Sequence, residues 1–128
     1  MNMTQLIKTI YSDCTCPSAY VRQRSIHGDT NDYDQMFDGM LQVGQYNGFF
    51  PAKIVTALKE HIKDICEISF GREYSPVMYI TPMKKERNGK YVVSSSEVNV
   101  LIKMLKALGA DECWEVNPET HEIRAWWD

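Results

Sequence analysis

The sequence predicts an α+β domain, a small antiparallel sheet of hairpins with about four helices packed on it. Three observations carry that prediction. Asn88-Gly89 stands between the apolar stretches Val77-Met78-Tyr79-Ile80 and Tyr91-Val92-Val93. Asn-Gly favours a type I′ hairpin turn, because both central residues there need positive φ. An apolar stripe at helical spacing fills residues 94–108. A second hairpin ends the chain, with Cys113-Trp114-Glu115-Val116 turning at Asn117-Pro118-Glu119-Thr120 into residues 123–127. The C-terminal part therefore reads β-β-α-β-β.

A chain of 128 residues suits a single domain spanning residues 1–128. That size buries roughly two thirds of its unfolded surface and needs no disulfide or metal to fold. A hydrophobic fraction of 44% argues for a packed core over disorder. With 14 Lys and Arg against 17 Asp and Glu, the chain is neither a dedicated DNA neutraliser nor a DNA mimic. No window approaches the ~20 apolar residues of a membrane span, and Met1-Asn2-Met3-Thr4-Gln5 lacks the basic start of a signal peptide. The expected setting is cytoplasmic and reducing, with the four cysteines as free thiols.

Taken in order, residues 4–11 form the first helix, with Leu6, Ile7, Ile10 and Tyr11 on one face and Thr4 as its N-cap. Cys14-Thr15-Cys16-Pro17-Ser18 is loop chemistry, and residues 20–26 carry a weak strand signal. In the second helix, Asp32 is the cap and Tyr33, Met36, Phe37, Met40 and Leu41 share a face. Gly44 is its C′ residue, and Gly39 weakens its interior by about 1 kcal/mol relative to Ala. Pro51 opens the third helix, whose apolar face holds Ile54, Val55, Leu58, Ile62 and Ile65. Residues 65–70 convert to a strand that Gly71 ends. Pro82 cannot donate to a ladder, so the strand it sits on is expected at an edge or bulged. Ser94-x-x-Glu97 is a capping box for the fourth helix. Its stripe of Val98, Leu101, Ile102, Leu105 and Leu108 is widened by Val100, Met104 and Ala107. Such a wide arc predicts burial on two sides, by the sheet and by other helices or a second subunit in a homodimer.

Chemistry is less legible. In the last strand Ile123, Ala125 and Trp127 alternate with Glu122, Arg124 and Trp126. Trp114 and Val116 are expected to join the first set in the core. Trp126 is then left among charges beside Arg124, the residue pair that anchors many protein interfaces. The leading expectation is a non-enzymatic protein-binding module, a regulator, adaptor or inhibitor, using Trp126, Arg124, Glu122 and Glu115. The plainer reading is a tryptophan half covered by Arg124. The runner-up is nucleic-acid binding at the hairpin tip, through Lys84, Lys85, Arg87 and Lys90. A two-residue turn would set Arg87 against Lys90, and like charges held face to face suit an anion. Against it, Glu86 dilutes the cluster, and charge at a tip also protects an edge strand. Residues 81–106 carry six basic and two acidic groups, whereas Asp111, Glu112, Glu115, Glu119, Glu122 and Asp128 face only Arg124.

The lesser alternative is a thiol or metal function at Cys14 and Cys16. Cys66, Cys113, His27, His61 and His121 are the remaining ligand types, but the spacing matches no zinc module. Cys66 and Cys113 read as small buried hydrophobes. Asp29, Asp32, Asp34 and Asp38 lack the glycine register and closing glutamate of a calcium loop. Gly44-x-x-x-Gly48 lacks the ending of a phosphate loop. No cofactor and no enzymatic activity are expected.

Overall fold

Helix and strand signals resolve into the order α1 (Met3–Ser12), β1 (Ser18–Arg24), α2 (Asn31–Leu41), α3 (Pro51–His61), β2 (Cys66–Glu73), β3 (Ser75–Lys85), β4 (Tyr91–Val93), α4 (Val98–Ala107), β5 (Glu112–Asn117) and β6 (Glu122–Trp126). The computed structural model describes residues 3–12, 18–24, 31–45, 47–61 and 66–128. Every strand pair is antiparallel, in the spatial order β1-β2-β3-β6-β5, with β4 pairing β3 beyond the end of β6. The architecture is α+β, and its C-terminal part is the expected ββαββ.

The helices cover one face of the sheet. Ile7, Ile10 and Tyr11 of α1, Met36, Phe37 and Met40 of α2, Ile54, Val55 and Leu58 of α3, and Val98, Leu101 and Leu105 of α4 form one cluster with the strands. The sheet contributes Ile68, Phe70, Met78, Ile80, Cys113, Ile123 and Ala125. These positions keep the two-residue alternation of half-buried strands. Trp127 is fully buried, packs edge-on to Phe49 at 5.3 Å, and donates its indole N–H to the Leu108 carbonyl.

Two close approaches set the helix positions. A Cβ on Gly39 would stand 2.4 Å from the Thr4 carbonyl oxygen, so α1 and α2 touch through glycine. Their contact is tied by Thr4 Oγ1 donating to the Gln35 carbonyl at 3.0 Å. Arg72 is buried and donates to the carbonyls of Ile10, Tyr11 and Tyr74 at 3.1, 2.7 and 2.6 Å. The first two are orphan acceptors at the C-terminal, electronegative end of α1.

Several local expectations are corrected. Gly71 does not end β2, which runs to Glu73 and turns through Tyr74 alone, at φ 65. Pro82 lies on β3, the middle strand, not an edge. Its missing donor is harmless because β6 pairs with residues 77–80 of β3 and β4 with residues 83–85, leaving Pro82 between them. Helix α2 starts at Asn31, so Asp32 lies in its first turn and is not its cap. Gly44 is not an αL C′ residue, since only Gly89 and Gly109 take positive φ among the described glycines. The Ser94 capping box is not made. A 3₁₀ turn over Ser95–Glu97 precedes α4, and the Ser94 side chain makes no cap bond. Burial of α4 is one-sided: Val100 is 59% exposed, and Ala107 is exposed too. Ile62, Ile65 and the Cys14-Cys16 loop lie outside the described residues.

Both hairpins turn differently from expectation. The first pairs Lys85 with Tyr91, and Glu86 N donates to Lys90 O at 2.8 Å. The loop is thus Arg87-Asn88-Gly89. Gly89 alone takes positive φ, at 82°, and its N–H donates to Glu86 O at 2.9 Å. This is a type I turn closed by a glycine bulge, which is a three-residue loop and not type I′. In the second hairpin Trp114 pairs with Arg124, and a register shift falls between Glu115 and Asn117. A loop at residues 117–120 would have paired Trp114 with Ile123. Because side chains alternate, that one-residue slip moves Trp114 and Val116 from the core to the opposite face.

Candidate interaction site

The helix-free face of the sheet collects Glu73 from β2, Tyr79 from β3, Glu122, Arg124 and Trp126 from β6, and Glu112, Trp114 and Val116 from β5. Cross-strand pairing builds it. Tyr79 and Trp114 flank Arg124, while Val77 and Glu112 flank Trp126. Val77 is fully buried beside Trp126, outside the helix-covered core.

Arg124 is the centre. Its Nη2 lies 2.7 Å from Glu73 Oε2, its Nε donates to that oxygen at 2.9 Å, and its Nη1 donates to Glu112 Oε1 at 2.8 Å. Its guanidinium carbon sits 5.6 Å from the Trp114 ring centroid and 5.9 Å from that of Trp126, both within cation–π range. Trp126 Nε1 donates to the Glu73 carbonyl at 3.0 Å. Tyr79 Oη donates to Glu73 Oε1 at 2.5 Å.

Burial works against the Arg124 charge, but its hydrogen bonds to Glu73 and Glu112 outweigh it and hold the guanidinium firmly protonated. Burial, and then the Glu73 hydrogen bond and charge, push the Tyr79 phenol above its ordinary range. Tyr79 therefore stays a neutral donor and Arg124 a fixed cation. The result is an aromatic platform built around one guanidinium held between two carboxylates. Trp114, 47% exposed, is its accessible part, and Tyr74 at 79% exposure stands beside Glu73.

Of the residues singled out from sequence, Trp126, Arg124 and Glu122 share this face. Trp126 is half-buried rather than exposed. Glu115 is not brought to them. It lies one position out of phase with Trp114, and its carboxylate meets His121 Nδ1 at 3.0 Å. Glu112 takes the place expected for Glu115. Lys84, Arg87 and Lys90 are exposed at the first hairpin tip. The predicted opposition of Arg87 and Lys90 does not occur, because Glu86 stands opposite Lys90, and opposite charges there are favourable.

Cys113 is a buried free thiol whose burial pushes its pKa up to about 11, as expected of a small hydrophobe. Cys66 opens β2 and His61 ends α3. Cys14, Cys16, His27 and Asp29 lie outside the described residues, as does the side chain of Asp32. Asp34 and Asp38 lie on α2. Among the described residues no three His, Cys, Asp or Glu side chains converge to hold a metal ion. Among them, too, no helix is long and apolar enough to cross a membrane.

Glu73, Tyr79, Glu112 and Trp114 are the site residues that sequence reasoning missed. Only the alternation of Trp114 with Cys113, read in the other phase, carried a signal. No family model, characterised protein or solved structure matches the chain.

Proposed function

We propose that the protein is a non-enzymatic binding module, a regulator, adaptor or inhibitor, whose protein partner docks on the helix-free face at Trp114, Arg124 and Trp126. The observation that carries this reading is the exposed Trp114 indole stacked beside an arginine already fixed by two carboxylates. Tryptophan and arginine dominate interface hot spots. A prepared platform also loses little side-chain freedom when a partner arrives. The buried Cys113 thiol suits a reducing, cytoplasmic setting.

Nucleic-acid binding at Lys84, Lys85, Arg87 and Lys90 is the weaker reading. Glu86 opposite Lys90 removes the like-charge arrangement that motivated it. A homodimer through α4 draws support only from the exposed Val100.

A tagged chain and its Trp114→Ser variant, each used to capture proteins from nuclease-treated and untreated lysate of the source cell, test the proposal. The expected result is one stoichiometric protein that survives nuclease and is lost with Trp114→Ser. Capture that vanishes with nuclease would favour the hairpin tip. Capture indifferent to Trp114→Ser would remove the platform from the account.

A further inference from the structure

The platform continues to the edge of the sheet, where β5 is the last strand. Trp127 N donates to Pro76 O at 3.0 Å, which turns the backbone of Trp127 and Ala125 toward β3. Backbone groups alternate sides along an antiparallel strand, so those of Trp126 and Arg124 turn toward β5. Glu112 and Trp114 stand opposite them. The N–H and C=O groups of Cys113 and Glu115 therefore point away from β6. No described residue forms a ladder there. An open row of this kind is a template for another strand.

From the geometry we infer that this edge takes up an extended, basic peptide segment of a partner protein as an added strand. The inference rests on the protein-binding reading above and names the chemistry of the partner. Strand β6 already displays the pairing. Arg124 lies opposite Trp114, over its ring, and reaches Glu112. An arginine or lysine arriving opposite Trp114 from the open side repeats that arrangement, with the 47% exposed indole and the 43% exposed Glu112 side chain waiting for it. Val116, at the bulge beyond Trp114, is 37% exposed. Charge selects the occupant. Residues 111–128 hold Asp111, Glu112, Glu115, Glu119, Glu122 and Asp128 against Arg124. A second copy adding through its own β5 would bring two acidic hairpins together, whereas a basic strand gains attraction and a faster approach. Main-chain bonds then supply affinity, and alternate side chains supply choice.

The test uses the full chain against a displayed library of random hexapeptides, followed by amide exchange with the enriched peptide. Peptides alternating Arg or Lys with apolar residues should be enriched. The Cys113 and Glu115 amides should then exchange at least about tenfold more slowly, and N-methylating alternate amides of the peptide should weaken binding at least about tenfold, as loss of ladder hydrogen bonds requires. Enrichment of no basic class, or binding that leaves those two amides unprotected, would overturn the added strand. If the lysate partner still depends on Trp114 in that case, the platform stands and only strand addition falls. If instead basic peptides protect the edge and no lysate protein is captured, the assignment of the platform to a protein partner falls.

Discussion

Arg124 and Trp114 stand directly opposite each other on β6 and β5, with the guanidinium carbon 5.6 Å from the indole centroid. The same arginine is bonded to Glu73, 51 residues away in sequence, and to Glu112. One side chain thus joins β2, β5 and β6 on the face opposite the described helices. Sheet stability and the candidate interface share this residue.

Removing Arg124 should therefore be felt in both. Arg124→Ala is expected to lower unfolding stability by about 1–3 kcal/mol, since it removes the guanidinium that bonds Glu73 and Glu112 on this face. A double-mutant cycle with Trp114→Ala, read by urea denaturation, should give a coupling of about 1 kcal/mol from the stacked pair. Strict additivity would mean that the stack contributes nothing.

Gly39→Ala offers a test whose sign separates two effects. Helix propensity alone favours alanine by about 1 kcal/mol. Packing opposes it, because the new Cβ would lie 2.4 Å from the Thr4 carbonyl and 2.9 Å from Ile7 Cβ. Overpacking of this kind costs about 1–3 kcal/mol, so a net loss of stability is expected in thermal or urea unfolding. A stabilised variant would show that α1 and α2 are not in close contact.

Alkaline pH should weaken the fold. Burial holds the Cys113 thiol protonated, up to about 11. Burial and then Glu73 raise the Tyr79 phenol in the same direction. Both are acids whose folded pKa exceeds the unfolded value, so the folded state keeps its protons longer. Their contribution is complete below the unfolded thiol value of about 8.5 and is lost as pH climbs through the folded values. Urea midpoints should be flat from pH 7 to about 8 and fall by pH 11, less steeply in Cys113→Ala. A midpoint that rises above pH 9 would contradict these assignments.

What the sequence made legible follows from the range of each signal. Helices α1, α2, α3 and α4 are local patterns of apolar residues three and four apart, and each forms close to its predicted place. The ββαββ order and the core role of Ile123, Ala125 and Trp127 are likewise local. Register is not. The bulge between Glu115 and Asn117 shifts one strand by one residue, and that alone took Trp114 out of the core, where Cys113 lies as expected. The turn at Gly89 lengthened by one residue and replaced Arg87 with Glu86 opposite Lys90. Glu73 and Tyr79 joined the site only through pairing of β2, β3 and β6, which no local pattern encodes.

Site-specific photo-cross-linking would show which face of the protein meets its partner. A photoreactive side chain at residue 114, and controls at Arg87 and at Lys103 on α4, would be activated in the source cell. A single cross-linked protein is expected from position 114 and none from 103 or 87. Cross-links to nucleic acid from position 87, with none from 114, would contradict that expectation.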